Sequence, residues 1–67
     1  MDNGLIKHVS IKCVDDEEKM NIGNRIHMQL AGKKDYIYNN IILNIDKPCE
    51  VNVYIYKECE EIPTITI

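Results

Sequence analysis

Three cysteines and two histidines, Cys13, Cys49, Cys59, His8 and His27, are the side chains of this sequence best suited to bind a metal or attack an electrophile. Structural zinc sites take four such ligands, delivered mostly as closely spaced pairs, and no pair of that kind occurs here. Nucleophilic catalysis needs a base beside the thiol and a third group to orient that base. No elbow motif or telling spacing is present, and a short chain leaves little room for a substrate pocket, so neither enzyme activity nor a cofactor is expected. An odd number of cysteines without a CxxC motif fits reduced thiols better than a disulfide framework. The four successive carboxylates of Asp15, Asp16, Glu17 and Glu18 lack the alternating ligands and turn glycine of a calcium loop, and read as a solvated connection.

The tyrosines are more informative. Tyr36, Tyr38, Tyr54 and Tyr56 fall on one parity of two apolar segments, and Ile42 shares that parity. Alternate side chains of a strand point to opposite faces, so these five residues would line an aromatic second face on a sheet whose first face is already apolar. Such a face calls for a covering: the chain's own curled barrel, a second copy, or a foreign protein. Tyrosine is enriched at protein interfaces, where its ring buries area and its hydroxyl keeps a polar partner. Stacking on nucleobases normally requires a basic groove as well. The neighbours here are Glu58, Glu60 and Glu61, which would steer the face towards a basic protein surface and make nucleic acid an unexpected partner. Glu58 and Glu60 also flank Cys59 just ahead of Pro63, a pattern suited to a charged edge that deters strand pairing.

Arg25 and His27 share a parity with Gln29 on an earlier segment, and could join Lys7, His8 and Lys12 in a small basic patch for a carboxylate or phosphate. Mixed polar residues of this kind more often form a solvated face. Charge is unevenly placed, with net +1 in residues 1–34 and net −4 in residues 35–67.

The elements that must position these residues follow from composition and periodicity. Twelve Ile, four Val and four Tyr stand against a single Ala and no Phe or Trp, a bias towards pleated, half-buried strands. Residues 5–14 alternate with Leu5, Val9, Ile11 and Cys13 on one face. Residues 20–30 alternate with Met20, Ile22, Ile26, Met28 and Leu30. A helix competes over this second segment, since Asp15 and Glu18 have capping-box spacing and Gly32 suits a helix end. Gly23 and the scatter of the apolar residues around a helical wheel favour the strand. Residues 36–45 carry Ile37, Ile41, Leu43 and Ile45 on one parity, with a tight turn at Asn39 and Asn40 as an alternative that splits this strand. Residues 51–57 follow a loop at 46–50, with Val51, Val53 and Ile55 inward, and residues 62–67 form a last edge strand marked by Pro63.

The expected fold is therefore all-β: one small domain over residues 1–67, with about five antiparallel strands in a meander curled into a barrel or sandwich. The alternative is an α+β fold with a helix at about 16–31. The start of the chain lacks a secretory pattern and no apolar run approaches the roughly 20 residues of a membrane span, so a cytoplasmic protein without a membrane partner is expected. At this size only about 60% of the unfolded surface is buried on folding, which favours a homo-oligomer. The expected function is non-enzymatic: a small acidic inhibitor or adaptor that docks on another protein, of the kind phages and mobile elements use against host defence proteins. Tyr36, Tyr38, Ile42, Tyr54 and Tyr56 would be its anchors and Glu58, Glu60 and Glu61 its steering charges. The alternatives are an oligomer that sequesters a small ligand or nucleotide with Arg25 and His27, and a structural subunit of a larger assembly.

Overall fold

The computed structural model of the protein describes residues 4–59 and 63–66. Among these, a strand β1 (Leu5–Lys12) is followed by a long helix α1 (Asp16–Leu30), a single helical turn α2 (Lys34–Ile37), and two further strands, β2 (Ile41–Asn44) and β3 (Glu50–Tyr56). The strands make one antiparallel sheet in the order β1-β3-β2, so the strand latest in sequence lies in the middle. The β2–β3 hairpin turns through residues 45–49, where Cys49 takes a positive φ of 55°.

Helix α1 covers one face of this sheet. Ile22, Ile26 and Leu30 stand one helical turn apart, and Gly23 beside Ile22 brings the helix close to the sheet. A β-carbon at Gly23 would lie 3.2 Å from the Ile45 side chain. The helical stripe meets Ile41, Val51, Val53 and Ile55, and these seven residues form the core, with Val9, Ile11, Leu43 and Ile45 packed at its margin. Val53 pairs with Val9 on one side and Leu43 on the other, so the inward residues of all three strands form one apolar layer.

The architecture is thus α+β with three strands, and the all-β expectation of about five strands is overturned. The decisive segment is 16–30. Its buried apolar side chains, at positions 22, 26 and 30, are spaced by four, and a spacing of four also satisfies a period of two. Met20 and Met28 completed the apparent alternation, yet both are exposed, at 48% and 75%. The end signals favoured the helix. Asp15 Oδ1 accepts from the Glu18 N–H at 2.8 Å, Glu18 Oε1 accepts from the Val14 N–H at 3.2 Å, and Gly32 has φ +86° just beyond the last turn.

The strand expected over residues 36–45 also divides. Its first part is α2, and the chain reverses at Asn39, whose φ of 63° marks the turn, before β2 begins at Ile41. The expected strand at 62–67 is replaced, over its described residues 63–66, by a segment outside the sheet. The Thr66 N–H donates to Gln29 Oε1 at 2.8 Å and its carbonyl accepts from Gln29 Nε2, which ties the segment to the last turn of α1.

Candidate functional site

The face of the sheet turned away from α1 is the candidate site. The outward residues of β3 are Glu50, Asn52, Tyr54 and Tyr56. Cross-strand register sets His8 opposite Tyr54, Ser10 opposite Asn52 and Lys12 opposite Glu50 on β1, and Ile42 opposite Tyr54 and Asn44 opposite Asn52 on β2. Tyr54 therefore lies between His8 and Ile42, its ring stacked on the imidazole at a centroid distance of 4.5 Å and an interplanar angle of 8°. His8, Ser10, Lys12 and Ile42 are exposed, and Tyr54 and Tyr56 are half-buried.

Beneath this surface runs a continuous chain of hydrogen bonds. His8 Nε2 and Asn52 Oδ1 are 2.8 Å apart, and since an amide oxygen only accepts, that imidazole nitrogen carries the proton. Asn52 Nδ2 donates to Glu50 Oε1 at 3.0 Å, and Lys12 Nζ donates to Glu50 Oε2 at 2.6 Å in an ion pair. Asn52 is 1% exposed, so its neighbours seal it although it lies on the uncovered face. Glu50 is held at about 2, well below its ordinary 4.5, first by the hydrogen bond from Lys12 and then by that from Asn52. The arrangement fixes the rotamers of three polar side chains and presents a rigid histidine–tyrosine stack with an aliphatic flank.

The other residues singled out by sequence are scattered. Tyr54, Tyr56 and Ile42 share the open face as expected. Tyr36 belongs to α2, packs at the margin of the core and shares a 2.8 Å hydrogen bond with His27 Nδ1, the two rings meeting edge to face at 5.6 Å. Tyr38 caps α2 and is 68% exposed. Neither is on a strand, because the aromatic alternation there belongs to a helical turn. Glu58 lies just past β3, where its backbone carbonyl accepts from Asn40 Nδ2, and Glu60 and Glu61 lie outside the described residues.

The structure does not bring Arg25 and His27 together. Two residues apart on a helix, they point roughly 200° from each other. His27 faces Tyr36, whereas Arg25 lines a shallow, open cleft of about 470 Å³ with Asp15, Glu17 and Glu18, whose carboxylates repel an anion. The expected union with Lys7, His8 and Lys12 fails because β1 pairs with β3 and not with residues 20–30. That same pairing explains why Glu50 and Asn52 were missed and His8 was given other neighbours: the outward parity of β3 was legible, but its cross-strand partners depend on strand order.

Among the described residues no group of three or more His, Cys, Asp or Glu is arranged to hold a metal ion, and no helix is long and apolar enough to cross a membrane. Comparison with protein-family models, with curated proteins and with solved structures finds no match for this chain.

Proposed function

We propose that the chain is a small protein-binding domain that acts by occupancy, as an inhibitor or adaptor, and that it docks through the uncovered face of its sheet. What supports this reading is one observation: Tyr54 is clamped between His8 and Ile42 on an otherwise uncovered sheet face, above a hydrogen-bonded floor that keeps the aromatic surface preorganised. Preordered aromatic anchors lose little rotamer freedom on binding, which is why tyrosine so often dominates interface energetics. The partner is a second protein or another copy of this chain, and the mixed polarity of the face suits either.

The test compares two variants of the full chain. Tyr54→Ala combined with Ile42→Ala removes the centre of the face, and Tyr38→Ala removes an equally exposed ring elsewhere. Self-association is read by native mass, and partner retention by immobilising each variant and quantifying bound protein. The reading expects the double variant to lose association at least tenfold while the Tyr38 variant retains it, as hot-spot truncations above about 1.4 kcal/mol do. Equal association by all three proteins, or a monomer that retains nothing, would reject it.

A further inference from the structure

A second pair of facing side chains, independent of the open face, stands where β1 ends. Lys12 and Glu50 close the β1–β3 register, and one step further the Cys13 N–H donates to the Cys49 carbonyl at 2.9 Å. That single bond sets the two cysteines opposite each other one step past the ladder, where Cys49, at φ 55°, turns its own N–H to Asp16 Oδ1 at 3.0 Å. Both thiols lie on the helix side of the sheet. Cys13 packs at the margin of the core, and the Cys49 thiol lies 3.8 Å from Asp16 Oδ1 in the first turn of α1. Facing residues in an antiparallel ladder have α-carbons about 4.5 to 5.5 Å apart, inside the range of about 4.4 to 6.8 Å that a disulfide spans. Both residues are half-buried, which leaves them within reach of a small reagent.

We propose that Cys13 and Cys49 are a redox modification site, joining in an intramolecular disulfide when the protein meets a small-molecule disulfide such as oxidised glutathione. One protein thiolate attacks the glutathione disulfide, forming a mixed disulfide and releasing one glutathione thiolate. The second protein thiolate then attacks the protein sulfur of that mixed disulfide and expels the other glutathione. Two protein thiols and one glutathione disulfide become one protein disulfide and two glutathione thiols, so two electrons and two protons pass to glutathione.

The surroundings set the rate. Burial raises both thiols above their ordinary value, with Glu18 and Asp15 adding to the effect at Cys13, Asp16 and Asp15 adding to it at Cys49, and Lys19 opposing it at both. Cys49 also raises Cys13. The thiolate is the attacking species, so exchange is slow at neutral pH and accelerates as the solution becomes alkaline. Cys59 serves as an internal control, because it follows the opposite end of β3, a strand roughly 20 Å long.

The test equilibrates the purified full chain with reduced and oxidised glutathione at mildly alkaline pH, traps remaining thiols with a maleimide, and maps the linkage by mass spectrometry. The expected product is a monomer lighter by two hydrogens, with a Cys13–Cys49 link, one reactive thiol at Cys59, and a melting temperature higher by on the order of 10 °C. The Cys59→Ser variant should form the same link, and Cys13→Ser and Cys49→Ser should not. Three reactive thiols at the oxidised limit, a link through Cys59, a link between chains, or a glutathione adduct that persists unresolved would each overturn the proposal. The wild-type and Cys59→Ser maps decide the matter even if a core-side serine impairs folding.

Discussion

Asn52 shows how much one side chain organises here. A buried amide without partners costs on the order of 1–3 kcal/mol, and Asn52 avoids that cost by accepting from His8 and donating to Glu50. Its bond is one of two that hold Glu50 ionised, the larger contribution coming from Lys12. The Glu50 carboxyl titrates at about 2 in the folded protein against an ordinary 4.5, so the unfolded chain takes up the proton first as acid is added. The stabilisation is therefore complete above pH 4.5 and is lost as pH falls from there towards 2. Asp16 adds to the same trend, since the Cys49 N–H and Lys19 lower its pKa too. Urea-unfolding midpoints between pH 7 and pH 2 should fall across that window, and Glu50→Gln should flatten the fall without abolishing it. Identical pH profiles for the two proteins would show that the network carries no pH-dependent stability.

At the scale of elements, α1 depends on its ends. Asp15 caps the helix, and three acidic residues follow in its first turn, where they complement the partial positive charge of the free N–H groups. Asp15→Ala should cost about 1 kcal/mol in chemical denaturation, and Asp15→Asn, which keeps the acceptor, should cost less. Those caps were readable in the sequence, as were β3, whose alternation is strict, and β1, where only Ile6 and Lys7 break it. What misled over residues 20–30 was the coincidence that Ile22, Ile26 and Leu30 satisfy both periods, with Met20 and Met28 filling the gaps. Over residues 36–38 two tyrosines flanking an isoleucine mimicked a strand, although Ile37 is 63% exposed. The order β1-β3-β2 had no local signal, because pairing distant strands is decided by which arrangement buries the core. Two edges result. β1 is guarded by a register shift between Leu5 and Lys7 and by lysines at 7 and 12, and β2 is only four residues long.

For the molecule as a whole, the core is one layer of side chains between one helix and three strands. A chain of this length has a folding stability of roughly 3 to 10 kcal/mol, and truncating a fully buried isoleucine to alanine costs about 2 to 5 kcal/mol. Ile26, 0% exposed in the second half of α1, is the position where that arithmetic is most severe. Ile26→Ala should lower the thermal midpoint in far-ultraviolet circular dichroism by well over 10 °C or leave the chain largely unfolded at 37 °C. Met28→Ala, two residues away and 75% exposed, should change stability by no more than about 0.5 kcal/mol. A similar loss at both positions would mean that the methionine, too, is covered in solution.

The middle place of β3 also bears on how the molecule comes into being. A ribosome delivers β1, α1 and β2 before it delivers the strand that both β1 and β2 pair with. Until residues 50–56 emerge, the nascent chain holds two strands with no shared neighbour and a helix lacking three of the four buried sheet residues it packs on. Folding of this unit is consequently deferred until β3 has emerged, and a product interrupted before Glu50 has no partial version of this structure to fall back on.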